Sequence, residues 1–253
     1  MLLFAALLAW QTEPMSAIRG ARERARAEVT AAIKGEARKQ LAAEGAAKLS
    51  LRAVARELGM ASSALYRYFP SRDDLLTALI VDAYDAIGEA AERAHRTAAG
   101  ATDTPAPGTC LARWVAVACA ARDWALAHPH EYALIYGSPV PGYTAPQDTV
   151  GPAARVGLVL IAIVEDAHRE EGFALPPLAD ELRPEAERLA ADLAPGLAPA
   201  VAAPLVAAWS QLFGLISFEV FGQFNRVVEA REVFFRQAVT ELAHTVGLLG
   251  SRG

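Results

Sequence analysis

Strand-like alternation is absent from this 253-residue chain, and cysteine nearly so, with two residues, Cys110 and Cys119. Runs of β-branched residues are rare and Ala and Leu dominate, so helix is favoured over strand throughout. The two cysteines lie nine positions apart. On one helix that separation turns about 900°, which puts them on opposite faces and excludes a bridge between them. They read as small buried residues of a reduced, cytoplasmic protein. No glycine-rich loop follows a strand, which argues against nucleotide binding. No spacing joins a nucleophile to a base and an acid, so no enzyme is expected. His128 and His130 flank Pro129 with Glu131 beside them. Two histidines at i, i+2 do not share a helix face, so they read as surface residues at a helix start, and no metal or cofactor is expected. There is no internal repeat.

The chain opens on "MLLFAALLAWQTEP". Its apolar run is about ten residues, too short to span a bilayer, and it lacks the basic flank and cleavage site of a signal peptide. Residues 1–14 read as an upstream extension from a misassigned start codon, with Met15 as the start. The alternative is an apolar arm that packs on the body or on a partner subunit.

What is present is apolar mass and an uneven charge. Apolar residues make up 53% of the chain, enough for a sizeable core. Residues 16–72 hold twelve Lys or Arg against five Asp or Glu, a sum of +7, whereas residues 73–253 sum to −11. A basic first quarter on an acidic remainder suggests a module for polyanions attached to something else.

The spacing predicts a helix over 22–43, with Val29, Ile33, Ala37 and Leu41 on one face. Ser50 then caps a short helix with an apolar stripe of Leu51, Val54, Ala55 and Leu58, stopped by Gly59. A second short helix follows over 62–68 and ends at Pro70. Ser71 and Asp74 fit a capping box for a long helix. Further helices are expected over 109–127, 128–137, 153–171, within 175–199, and over 204–224 and 230–249. The stretches 100–108 and 138–152 read as loops.

Two short helices joined by a glycine turn form a helix-turn-helix pattern, whose second helix enters the DNA major groove. Leu65 and Phe69 should face the preceding helix, leaving Ser62, Ser63, Tyr66 and Arg67 outward. Those groups suit base edges and phosphates. Arg52 and Arg72 would flank the groove as phosphate contacts. The candidate DNA-facing set is therefore Ser50, Arg52, Ser62, Ser63, Ala64, Tyr66, Arg67, Tyr68 and Arg72.

The run "LSLRAVARELGMASSALYRYFPSRDDLL" resembles the DNA-binding domain of the TetR family of bacterial transcription regulators. The matching positions are Gly59, Leu65, Tyr66, Tyr68, Phe69, Ser71, Arg72, Leu75 and Leu76. Two positions depart from the family pattern: Ala61 stands where Ser or Thr usually caps the second short helix, and Tyr68 where His is usual. The resemblance implies an all-α protein: a three-helix DNA-binding domain over 15–70 joined to a larger helical domain over 71–253 for ligand binding and dimerisation. It implies a homodimeric, cytoplasmic, ligand-responsive repressor on a pseudo-palindromic DNA operator, with a small-molecule effector as second partner.

The residues of the larger part agree with such a domain. "PLVAAWSQLFGLISFEVFGQF" (204–224) is apolar nearly all round with one charge, Glu219. Gln211, Glu219 and Gln223 interrupt it and no basic residues flank it, so burial is favoured over a membrane. Its Leu205, Leu212, Ile216 and Val220, with Phe235, Val239, Leu242 and Val246 of the last helix, form the expected dimer stripe. Trp114, Trp124, Tyr132, Tyr136, Tyr143, Trp209, Phe213 and Phe218 are the candidate pocket residues. Few charges lie among them, so the effector is expected to be largely apolar or aromatic. Two competing readings remain: an all-helical carrier or enzyme with an incidental basic N-terminus, and an architectural DNA binder without sequence preference.

Overall fold

The computed structural model describes residues 13–100, 109–169, 173–193 and 196–249, and among them every regular element is a helix. In chain order the α-helices are α1 (Glu13–Glu44), α2 (Leu51–Glu57), α3 (Ser62–Leu65), α4 (Arg72–Gly100), α5 (Thr109–Ala127), α6 (Pro129–Tyr136), α7 (Val150–Arg169), α8 (Arg183–Leu193), α9 (Pro199–Val220) and α10 (Arg231–Thr245). Of the expected N-terminal extension, residues 1–12 lie outside the described residues, and Glu13 and Pro14 open α1. Helix α1 starts nine residues before the periodic pattern does, because its Ala, Arg and Glu residues favour helix without marking a buried face.

The chain forms two compact units. The first comprises the described residues up to Leu79 with Val140–Tyr143; the second comprises the rest from Ile80 on. The boundary falls at 79–80 rather than 70–71, so the first two turns of α4 belong to the first unit.

The first unit is built around Ile33, Ala37 and Leu41 of α1, Val54 and Ala55 of α2, and Leu65, all of them buried. Val29 and Leu58, expected on the same faces, are only half-buried. Helix α2 closes with a glycine stop. Gly59 has φ 64°, its N–H donates to Arg56 O at 3.1 Å, and Met60 N–H donates to Ala55 O at 2.8 Å. These paired bonds satisfy the last carbonyls of the helix and need the left-handed backbone that glycine allows. Ser71 caps α4 as the sequence implies: its Oγ accepts from Asp74 N–H at 3.1 Å, and its hydroxyl, in place of the backbone N–H of a full capping box, donates to the Asp74 carboxylate at 2.7 Å.

In the second unit a single apolar core draws on α4 to α10 and is centred on Trp114, Val117, Leu160, Ile163, Leu212 and Phe235. Gly88 on α4 permits close approach of α7, since a Cβ there would sit 2.8 Å from the Arg155 side chain. Arg155 in turn spans Asp85 and Glu92 of α4 with bonds of 2.7–2.8 Å. Helix α9 begins at Pro199, ahead of the expected 204, with Pro204 held inside its N-terminal part. Helix α10 stops at Thr245 instead of continuing to 249, because Gly247 (φ 98°) forms the same kind of terminator as Gly59. Among the described residues α9 alone is long and apolar enough to cross a membrane. Its Leu205, Leu212 and Ile216 are buried in this core, and its one carboxylate, Glu219, is buried against Arg122. It is a core helix.

Candidate nucleic-acid interface

Helix α3 is a single regular turn. Hydrogen bonds from Arg67 N–H to Ala64 O and from Tyr68 N–H to Leu65 O carry the coil on through Tyr68. Leu65 is fully buried and Phe69 nearly so, which fixes the inner side. Ser62, Ser63, Tyr66 and Arg67 are left exposed, Tyr66 at 40%. Hydroxyls, a phenol and a guanidinium thus share one outward face, the inventory that base edges and phosphates accept. Arg52, on the solvent side of α2, adds a second cation. Ala64 is half-buried and offers only a methyl group.

Three residues of the expected set have other employment. Ser50 caps α2: its hydroxyl accepts from Ala53 N–H at 3.4 Å, and its own N–H donates to the Gln40 side chain at 3.3 Å. Tyr68 is half-buried, with the Arg26 guanidinium of α1 lying 5.2 Å from its ring centre. Arg72 requires a correction. Its guanidinium donates to the carbonyls of Ala46 (2.8 Å), Leu49 (3.2 Å) and Ala47 (3.4 Å), and it also pairs with Asp73. An arginine spent on backbone carbonyls is a brace for the turn before α2, not a free phosphate contact. Arg26 was not legible as part of the site, because its partner Tyr68 lies 42 positions away. At Ala61 the cap position has extended backbone and no side-chain bond, so α3 starts without the usual acceptor.

The second unit redistributes the expected pocket residues. Tyr132, Tyr136, Phe213 and Trp209 come together: Phe213 stacks on Tyr136 at 4.1 Å, Tyr132 on Tyr136 at 5.2 Å, and Trp209 meets Phe213 edge-on at 5.9 Å. Tyr84 and Phe221 join this cluster. The Tyr132 hydroxyl is bonded to Phe213 O and Ser217 Oγ, and burial pushes its pKa up to about 12. Burial raises Tyr136 as well. The other four separate. Trp114 is core, its indole N–H donating to Val239 O at 3.0 Å. Trp124 stacks on exposed His128, Phe218 lies outward against Phe224, and Tyr143 belongs to the first unit with its hydroxyl on Thr77.

The expected dimer stripe also requires correction. Leu205, Leu212, Ile216, Phe235, Val239, Leu242 and Val246 are buried within one chain and Val220 is half-buried. The 3.6-residue period marks the face turned to the chain's own core, which cannot also face a partner. The outward faces of α9 and α10 carry Gly214, Phe218, Phe234 and Ala238 around a groove of about 510 Å³.

Two ion pairs brace the core. Arg122 holds Glu219 through two bonds of 2.6–2.7 Å and lies over the Phe235 ring. The hydrogen bonds to Glu219 raise the Arg122 pKa against the effect of burial. A lone acid in an apolar helix demands such a partner, so Glu219 was the available signal. Arg113 pairs with Asp166 at 2.5 Å and with His95 at 3.2 Å, and burial followed by the Arg113 charge lowers the His95 pKa. Cys119 is half-buried and its thiol is pushed up by burial, so it is no thiolate. No cluster of metal-ligating side chains occurs among the described residues.

Comparison with known proteins agrees with this architecture. Residues 35–79 match the domain described as "Bacterial regulatory proteins, tetR family", and residues 114–242 match "Tetracyclin repressor-like, C-terminal domain". The chain is 40% identical over 217 residues to the HTH-type transcriptional regulators Rv1816 of Mycobacterium tuberculosis and Mb1846 of Mycobacterium bovis, covering 81% of this chain and 86% of each relative. Among solved structures it resembles the regulatory protein SCO4313 at 34% identity and TM-score 0.71, over 88% of this chain and 98% of that one. A tetR-family regulatory protein from Rhodococcus RHA1, at 16% identity and TM-score 0.57 over 87% and 97% of the two chains, shares the fold. With a polar, cationic face on a buried helix-turn-helix and regulators as its relatives, the chain belongs to the TetR family of bacterial transcriptional regulators, DNA-binding proteins and not enzymes.

Proposed function

We propose that this regulator is a ligand-responsive repressor that binds a pseudo-palindromic operator as a homodimer and is released by a small, largely apolar or aromatic effector. The observation that carries the DNA half is the exposed set of Ser62, Ser63, Tyr66 and Arg67 on the side of α3 away from buried Leu65. Purified protein selecting from random DNA at about 150 mM salt tests it, since purely electrostatic binding weakens steeply with salt. A two-fold-related motif is the expected result; absence of any sequence preference overturns the reading.

Support for self-association comes from the outward face of α9 and α10. Phe218 and Phe234 are 52% and 41% exposed there, beyond the scatter usual for single apolar residues. Gly214 lies inside α9, yet nothing within 4 Å would oppose a Cβ. A glycine in a helix without an internal packing reason suits close approach of a second helix. Two such helix pairs related by a two-fold axis make a four-helix interface. Light scattering should give twice the chain mass, and Gly214→Leu should give the monomer. Effector binding would bias the two DNA-reading helices between separations, with coupling of about 1–3 kcal/mol.

A further inference from the structure

A second groove, of about 360 Å³, lies between α7, α8 and α9, on another flank of α9 from Gly214 and Phe218. That is the size of a small-molecule site. Buried Leu160, Ile161 and Leu205 form its floor, half-buried Ala153 and Gly157 one side, and Leu158 and Trp209, 55% and 38% exposed, its lips; Asp192 is its one charged lining residue. Gly157 is interior to α7, and no atom within 4 Å would meet a Cβ there, in contrast to Gly88, where one would collide with Arg155. Packing within the chain therefore gives no reason for glycine at 157, and its hydrogen leaves the groove deep.

The charge beside this groove is net negative. Residues 180–193 hold five carboxylates and two arginines. Arg188 is shared between Glu185 and Asp192, so that trio keeps a net negative charge, and Asp192 remains largely exposed at the groove. We propose that this groove binds a lipophilic cation. The apolar body lies along Ala153 and Gly157, and the positive centre lies between the Asp192 carboxylate and the Trp209 ring, whose face attracts cations. Trp209 also touches Phe213, which ties the groove to the aromatic cluster. The regulatory meaning of such binding rests on the effector reading above; the binding itself does not.

Calorimetric titration of the full chain with tetraphenylphosphonium, and with tetraphenylborate of the same shape and opposite charge, tests this. The cation should bind at least about tenfold more tightly than the anion. Gly157→Leu, which fills the groove from its α7 side, should weaken the cation about tenfold or more without loss of helicity. Asp192→Asn, a surface change that spares the fold, should weaken it about three- to tenfold and narrow the preference. Equal binding of the two ions, or undiminished binding by either variant, overturns the proposal. So does a change of solution mass in Gly157→Leu, which would make the groove an interface between copies. If the cation binds as described but leaves selected DNA in place, the groove stands as a cation site and is not where the effector acts. If another ligand releases DNA while the cation does not bind, the groove proposal alone fails.

Discussion

In the first unit Arg52 and Arg67 stand in solvent beside a polar helix face, whereas in the second Arg113, Arg122 and Arg155 each close onto a carboxylate of another helix. All five are arginines on or beside helices, and nothing in their immediate sequence separates them. The difference is made by what lies opposite. An arginine facing water keeps its donors for a phosphate or a base edge. One closed onto a carboxylate becomes part of the packing, and at Arg122, whose partner Glu219 is itself buried, removing that partner strands a charge in the core. Arg72 belongs with the second kind although it sits in the first unit, because backbone carbonyls surround it.

This comparison breaks most visibly at Glu219. Glu219→Ala should destabilise the fold by about 3–5 kcal/mol, read by chemical denaturation, because it leaves Arg122 buried and unpaired. A loss below about 1 kcal/mol would mean that the pair is hydrated after all. Arg67→Ala should leave the melting curve in place and weaken operator binding by about 1–3 kcal/mol, measured by titration of the selected DNA. Unchanged affinity removes it from the reading face. Arg72→Ala sharpens the contrast by doing the opposite: about 1–2 kcal/mol of stability lost with the three carbonyl bonds. The slope of DNA affinity against salt should stay as in the parent; a slope smaller by about one would restore Arg72 as a phosphate contact. The smallest effect is a gain. Ala61→Ser supplies the missing cap of α3 and should add about 0.5–1 kcal/mol, seen as a higher unfolding midpoint.

The helix-turn-helix was legible because its signals are local. A cap at Ser50, a stop at Gly59, a proline at 70 and a cap at Ser71 each act within a few residues of themselves. The same locality explains the partial failures. Periodicity finds the buried face of a helix, so it named Leu212, Ile216, Phe235 and Val239 and could not say that they face the chain's own core. The outward positions share that period, but Gln211, Gly214 and Glu241 among them break it as an apolar stripe. Aromatic content suggested a pocket, but which aromatics meet depends on helix crossings. Tyr136 and Phe213 stack across 77 positions, while Trp114 is consumed by a carbonyl of α10.

By itself the sequence determined which segments are helices and which of their faces are apolar, the caps and stops around the helix-turn-helix, and that a basic reading module precedes an acidic helical domain. Those depend on side-chain size, capping chemistry and charge along a short stretch of chain. Only the tertiary structure decided the partner of each arginine, the face of α9 left to the outside, and the groove beside Gly157. Those depend on residues far apart in sequence whose meeting is set by packing, where a few ångströms separate a solvated charge from a buried pair.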